Sequence, residues 1–582
     1  MKKAWARLAG WFEGRAHIAA LGALVVVSAA GKLVSTFRFL IYPDSYYYLL
    51  IARNLIARLS PAGTLGPRGM PFPPPGYLSM KLTYPLAVAG AMLLGARGES
   101  AGHIVSLSSA VLCVPAAYVA TARVTASKWA GVAGAALAAT SFGLTYWSGF
   151  VMSDSLSVLL GLLVVALTAR ERGDELSGPA DIATGVVAAL LVLSRPTYAL
   201  TLPFLVWVGH SRFGWTPKRL ATAAVSGSLT VAAMAALWFP AAPLSGGALA
   251  KVVPAVCLAL LAAVLVIGLA RRLRNTEARR RFGRIVPLLL AAAILAVYVA
   301  AALFVSAEGA SAFPGIVGFA SRDPAILLAL TFGAFALART NDVTAAGLLC
   351  SALVVLGVSF RVEPNDSRYL VQMLPFLIPV AAAGVLLLAP AIAPGSRGAG
   401  ANESSGRHVQ GAGGPSLAAR VWERAAAAGV IIALLVGVSM QVASTVARPS
   451  STVLRESYPQ EVARRLRPAL RGGDVLLAAL PWPDYFLLGR PTWGAGVALR
   501  PDLLTYIPPQ TPVVVICDAS MRFHYRRVAR VFSRNASLRP ILGFTPSVLY
   551  QYGYQVVDDS EPVSVYRLPA EELRSLMVTA AP

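Results

Sequence analysis

Apolar runs of about 20 residues recur along most of this chain, and no other feature restricts its fold as strongly. A run of that length makes a helix long enough to cross the hydrocarbon core of a bilayer. The charged residues agree. Of 582 residues, 56% are hydrophobic and 13% charged, against about a quarter charged in a soluble protein. The sequence therefore predicts a mainly α fold, a polytopic transmembrane helical bundle of about 13 spans. The net charge of +24 would suggest nucleic acid in a soluble domain. Here much of the Lys and Arg stands in short loops between apolar runs, where it orients helices, so no nucleic-acid partner is expected. Cys113, Cys257 and Cys350 lie within apolar runs and Cys517 stands alone downstream; the spacing suits neither a metal site nor a disulfide framework. The five histidines are scattered. The first apolar run is long and lacks a clear small-residue cleavage site, so it reads as a retained helix.

Basic residues set the sidedness. Lys2, Lys3, Arg7 and Arg15 precede the first run, near 17–40, which predicts a cytoplasmic N-terminus and puts Asp44 outside. Further inside signals are "TARERGDE" around Arg170, "HSRFGWTPKRL" around Arg219, and the basic stretch from Arg271 to Arg284. Helices are expected near 220–241, 252–270, 285–306, 324–339, 343–360, 370–390 and 425–446. Their parity puts "RVEPNDSRYL" outside, together with the chain after about residue 447. The Gly/Ser-rich 391–420 segment reads as a flexible cytoplasmic loop. Two places depart from simple spans. The run after Thr83 is short for a crossing, and the run at 182–209 is interrupted by Ser194, Arg195 and Pro196. A broken hairpin fits the second, because Pro cannot continue the helical ladder.

The bundle is assigned to 1–448 and a soluble extracytoplasmic α/β domain to 449–582. In the latter, "GDVLLAAL", "TPVVVICDA" and "EPVSVYRL" are short apolar runs bounded by Gly, Pro and Asp, a strand pattern. "SYPQEVARRLRPALRGGD" has the apolar spacing of an amphipathic helix. "PWPDYFLLGRPTW" reads as a rigid aromatic loop. Three or four of Arg522, Arg526, Arg527 and Arg530 have the spacing to share a helix face.

Charged groups at helix ends near a membrane are costly and often mark substrate paths. On the expected topology Asp44, Lys81, Asp154, Arg195 and the group Arg361, Glu363, Asp366 and Arg368 share a bilayer side or depth. Each has a second assignment. Asp44 suits a turn after Pro43, Asp154 an N-cap, Arg195 a structural pair, Arg368 with Tyr369 an interfacial anchor, and Lys81 a snorkelling cation. Tyr46, Tyr47 and Tyr48 read as interface-belt residues, since consecutive positions do not share one helix face.

Five segments carry a resemblance. "YPDSYYYLLIARNL" resembles the first external loop of the GT-C class of membrane glycosyltransferases, the superfamily of protein mannosyltransferases and aminoarabinose transferases. "KLTYPL" is similar to its next helix start, "SDSLSVLLGLLVVAL" to its Ser-acid-Leu helix, "VLSRPTYALTLPFLVW" to its basic-Pro segment, and "SRYLVQMLPFLIPVAA" to its late Arg-Tyr helix. Together they span roughly residues 1–390 in the family's order. The resemblance implies an inverting transfer from a polyprenyl-phosphate sugar to a hydroxyl on a glycan, lipid or protein, at the outer face of the cell membrane. It implies Asp44 as the base, Arg368 as first contact to the phosphate with Lys81 and Arg195 behind it, and Asp154 orienting sugar or acceptor. Arg361, Glu363, Asp366 and Tyr369 complete the substrate-binding set. Where relatives have two adjacent acids this chain has Asp44-Ser45, and Ser79-Met80 stand where a Glu is usual. The cofactor open to this site is a divalent ion, which would fall to Asp44 and Asp154. No Gly-rich phosphate loop of nucleotide type occurs. A lipid-sugar flippase, or a polysaccharide polymerase or ligase, remains the competing class.

Overall fold

The computed structural model describes residues 17–33, 43–58, 63–64, 71–72, 81–170, 177–238, 323, 343–362, 368–392, 458–495, 498–499, 503–552, 555–557 and 561–579. The helices expected near 252–270, 285–306, 324–339 and 425–446, and the 393–420 segment, lie outside them, apart from Asp323. Most of the described chain is helical. The order is α1 (His17–Leu33), α2 (Pro43–Arg58), α3 (Thr83–Leu93), α4 (Glu99–Thr125), α5 (Lys128–Thr140), α6 (Phe142–Trp147), α7 (Asp154–Thr168), α8 (Ser177–Ser194), α9 (Leu202–Phe213) and α10 (Pro217–Trp238). After a gap come α11 (Val343–Val362), α12 (Arg368–Val371) and α13 (Leu374–Ile392). Among the described residues α4 is long and apolar enough to cross a membrane; six other apolar helical stretches run to 10–17 residues.

Local chemistry sets the breaks. Ser127 caps α5 by accepting from Ala130 N, and Ser141 caps α6 by accepting from Leu144 N, which satisfies amide donors the helix leaves open. Gly214, at φ +63°, ends α9 in the left-handed region. The expected interruption after α8 is present. Arg195 is extended at φ −150° and ψ 104°, and Pro196 opens a 3₁₀ turn to Thr201 before α9. The short run after Thr83 is the 11-residue α3.

Side-chain contacts fix helix directions. Ser106 Oγ donates to Met152 O near the start of α7, while Arg123 Nη1 donates to Ala166 O near its end. So α4 and α7 run parallel. A Cβ on Gly134 would sit 2.2 Å from Thr121 Oγ1, so α5 packs on α4 through a residue that must be small. The same holds where α8 meets α10: a Cβ on Gly185 would lie 2.0 Å from Ala223 O. Small residues at crossings let backbones approach, the packing mode of helices in lipid.

Residues 458–579 hold a mixed sheet with its own apolar cores. The elements are α14 (Tyr458–Leu466), β3 (Val475–Ala478), α15 (Pro481–Leu488), β4 (Thr492–Gly494), β5 (Pro512–Cys517), α16 (Ala519–His524), α17 (Arg526–Arg534), β6 (Leu542–Phe544), β9 (Val563–Pro569) and α18 (Ala570–Thr579). Two-residue strands β1 and β2 (Gly63–Thr64, Pro71–Phe72) and the hairpin β7–β8 (Tyr550–Tyr552, Gln555–Val557) stand apart from this sheet. Its order is β4-β3-β5-β9-β6, with β3, β4 and β5 parallel and β9 antiparallel to β5 and β6. The three apolar runs read as strands are β3, β5 and β9, and the amphipathic stretch is α14. One expectation changes. "PWPDYFLLGRPTW" is not a loop: it forms α15 and runs on into β4. Of the arginine series, Arg522 stands on α16, which Tyr525, at φ −131° and ψ 50°, separates from α17, the helix of Arg526, Arg527 and Arg530.

Glu461 ties α14 to the sheet. Buried, its carboxylate accepts from Ser547 N, Ser547 Oγ and Val548 N at 2.9–3.0 Å. Glu461→Ala leaves those donors unmet and is expected to cost about 2–4 kcal/mol locally. Hydrogen exchange at the Ser547 and Val548 amides should accelerate accordingly; unchanged protection would mean that water replaces the carboxylate without loss.

Candidate functional site

The charged side chains sort to two ends of the bundle. At one end Asp181 Oδ1 accepts from Arg170 at 3.3 Å and from Arg219 Nε at 3.0 Å, joining the end of α7 to the starts of α8 and α10. The Arg219 guanidinium lies 5.4 Å from the Trp215 ring centre. This is the end that carries the basic loops.

The other end holds most of the residues singled out from the sequence. Asp154 is the first residue of α7. It is not the cap, a position Ser153 occupies, and it makes no capping bond. Instead Asp154 Oδ1 meets Arg195 Nη2 at 2.5 Å, with the side chains 0% and 2% exposed. The break after α8 thus turns Arg195 onto the start of α7. Asp154 Oδ2 is buried and has no hydrogen-bond partner among the described residues. Leaving a buried carboxylate oxygen unpaired is costly.

Other elements converge here. Tyr198 Oη donates to Gln372 O, and Thr197 Oγ1 to Gln372 Oε1, which brings the turn after Arg195 against the segment between α12 and α13. Arg368 and Tyr369 open α12. Gly347, near the start of α11, packs on Trp207 and Val208 in the middle of α9, while α11 also runs along the turn after Arg195; Arg361 stands in its last turn. Glu363 and Asp366 lie outside the described residues. Lys81 is buried just ahead of α3, whose Thr83 Oγ1 donates to Leu190 O in the last turns of α8. It does not snorkel from an exposed stem.

Asp44 stands in the first turn of α2. Tyr46, Tyr47 and Tyr48 are 0%, 4% and 0% exposed, so the belt reading is corrected. One face of α2 meets α3, with the rings of Tyr48 and Tyr84 5.3 Å apart. Another is covered by α15, with Tyr46 5.6 Å from Phe486 and the Arg53 guanidinium 5.1 Å from the same ring. The first half of helix α2 is therefore packed inside the protein. Glu99 fastens the junction: Oε1 accepts from Tyr46 Oη at 2.8 Å and Oε2 from Gln460 Nε2 at 2.7 Å. One carboxylate links α2, α4 and α14. In α15, burial and the neighbouring Asp518 carboxyl push the Asp484 carboxyl well above the usual range.

Sequence reasoning missed Glu99, Lys32 and Asp323. Buried Lys32 donates to Ser28 Oγ at 2.6 Å and to Ala139 O at 3.4 Å. Buried Asp323 accepts from Ser141 Oγ at 2.5 Å and Gly143 N at 3.1 Å, fixing the start of α6 at this same end. A lone Lys inside the first apolar run was the available signal; nothing local pointed to the partner of Asp323.

The donor set also bears on a divalent ion. Asp154 offers one free oxygen, its other being held by a guanidinium, and among the described residues no three His, Cys, Asp or Glu side chains gather. The side chains of Asp44, Glu363 and Asp366 lie outside the described residues.

No protein-family model matches the sequence, and no curated protein matches it. Solved structures do. ArnT from Cupriavidus metallidurans, solved bound to undecaprenyl phosphate, aligns with a TM-score of 0.53 at 12% identity over 95% of this chain and 98% of that one. The Archaeoglobus fulgidus oligosaccharyltransferase in its apo form gives 0.56 at 14% identity, over 97% of this chain and 78% of that one. The same organism's oligosaccharyltransferase AglB, in complex with an inhibitory peptide and a dolichol-phosphate, gives 0.54 at 13% identity, over 98% and 78%. The resemblance read from five short segments thus extends to the architecture, and the chain has the fold of GT-C membrane glycosyltransferases.

Proposed function

We propose that the protein is an inverting glycosyltransferase that moves a sugar from a polyprenyl-phosphate donor to an acceptor hydroxyl at the outer face of the cell membrane. The observation that carries this reading is the buried Asp154–Arg195 pair, with Asp154 Oδ2 unpartnered among the described residues, at the start of α7 near α12. A membrane-embedded donor and a water-side acceptor need a charged cavity at such an end. The solved relatives support the lipid class: undecaprenyl phosphate in ArnT and a dolichol-phosphate in AglB.

In this scheme Asp44 takes the proton of the acceptor hydroxyl. The acceptor oxygen bonds to the anomeric carbon as the bond from that carbon to the phosphate oxygen breaks, and the polyprenyl phosphate leaves with the electron pair. Cations stabilise the charge that develops on it, a role assigned to Arg368 with Lys81 and Arg195. Asp154 Oδ2 accepts a hydroxyl of the bound sugar, while Arg195 keeps its carboxylate oriented. Residues 449–582 form the extracytoplasmic part that meets the acceptor.

The direct test is transfer of radiolabelled sugar from polyprenyl-phosphate donors by the purified protein in detergent. Label moving into an acceptor supports the reading. Donor bound or translocated in liposomes with no bond broken would point to a flippase. The phosphate assignment has its own check. Arg368→Ala is expected to weaken donor binding about tenfold or more, and Arg368→Lys to restore only part of it, since a point charge replaces a planar fork. Equal donor affinity in wild type and both variants would leave Arg368 a structural role.

A further inference from the structure

We infer that the C-terminal unit holds a second ligand site, an anion-binding cleft suited to a phosphate or pyrophosphate group. It lies apart from the residues assigned to transfer and does not rest on that assignment. The cleft measures about 550 Å³, and among the residues lining it are Arg522, Arg526, Arg530, Ser533, Glu561 and Tyr566.

The three arginines do different work. Arg522 is spent on the protein. Its Nη2 donates to Glu561 O at 2.9 Å, its Nη1 to Pro562 O at 3.3 Å and Cys517 O at 3.2 Å, and its Nε lies 3.4 Å from Glu561 Oε2. It bridges from the end of β5 to the segment before β9 and so holds the opposite wall in place. Glu561, whose side chain is 67% exposed, turns one carboxylate oxygen to Arg522.

Arg526 and Arg530 are exposed, one turn apart on α17, and neither guanidinium makes a hydrogen bond or ion pair with a described residue. Helix α17 reads RRVARVFSR, four arginines and no acid. Like charges spaced i, i+4 repel and weaken a helix; here buried Val528, Ala529 and Phe532 anchor it. Two free guanidiniums on one rim, the exposed Ser533 hydroxyl beside them and a wall fixed by a third arginine make a polar cradle. Guanidinium forks match the paired oxygens of a phosphoryl group. Soluble phosphorylated compounds and lipid headgroups both present that chemistry.

The test uses the full chain in phosphatidylcholine nanodiscs, titrated calorimetrically with inorganic pyrophosphate. Wild type is compared with Arg526→Gln/Arg530→Gln and with Arg527→Gln, an exposed position on the same helix outside the cleft. The double variant is expected to bind about tenfold more weakly or worse, and Arg527→Gln to stay within about twofold of wild type. Circular dichroism should be the same for all three. No saturable binding to wild type, an unaffected double variant, or an equal loss in Arg527→Gln would each overturn the site. Phosphatidylglycerol nanodiscs then distinguish the source. Weaker apparent pyrophosphate binding in them, absent from the double variant, identifies a lipid headgroup as the occupant. Affinity independent of the lipid identifies a soluble phosphate.

Discussion

Asp44→Asn is expected to lower sugar transfer by about 10²–10⁴-fold, the usual loss when a general base is removed, while donor binding stays near wild type. Asn keeps the shape and the hydrogen-bonding reach of the side chain and removes only its capacity to take a proton. The surrounding framework should survive the change. Helix α2 is held from Tyr46 onward by the Glu99 carboxylate and the Phe486 ring, contacts that the substitution at Asp44 leaves alone. Expression, detergent extraction and melting of the variant serve as controls. The decisive measurement is single-turnover transfer at saturating donor and acceptor. Turnover by the Asn variant at the wild-type rate would remove Asp44 from the chemistry and return it to a turn residue after Pro43.

Local patterns were legible in the sequence and distant partners were not. The runs that became β3, β5 and β9 are short, apolar and bounded by turn residues, so their pattern admits little else. The break at Arg195 was visible because Pro196 cannot extend a helix. The misread segments share a cause. "PWPDYFLLGRPTW" looked like a loop because of its prolines, yet Pro481 and Pro483 fall in the first turn of α15, where no intrahelical donor is needed. Tyr46, Tyr47 and Tyr48 looked like a belt because aromatic residues near helix ends usually face the interface. Tyr46 is covered by Phe486 of α15, more than 400 positions later in the chain, and Tyr48 packs on Tyr84 of α3. The same holds for Asp323 and Ser141, 182 residues apart, and for Glu99 and Gln460, 361 apart. The motif segments mark helix ends, and Asp154, Arg195 and Lys81 stand at such ends. They did not reveal that Asp154 and Arg195 would pair, because capping chemistry explained "SDSL" equally well.

That pair permits a test of whether the buried charges serve the fold or the reaction. Asp154→Ala and Arg195→Ala each strand a charge in a site excluded from water, since the two side chains are 0% and 2% exposed. Breaking a buried pair by removing one partner costs about 3–5 kcal/mol. Both single variants are thus expected to melt well below wild type or to fail extraction, and loss of transfer in them would say little about chemistry. Replacing both partners with apolar residues of similar volume removes the stranded charge, and such exchanges are often neutral or stabilising. Asp154→Leu/Arg195→Met is therefore expected to recover most of the wild-type melting temperature. If Asp154 Oδ2 receives a hydroxyl of the sugar and Arg195 holds that carboxylate in place, the recovered double variant should still lose transfer by about 10²-fold or more, because an interaction realised on the bound substrate is gone. Stability and transfer are measured on the same preparation, so the two roles separate. A double variant that melts like wild type and transfers sugar at the wild-type rate would assign the pair to the fold alone.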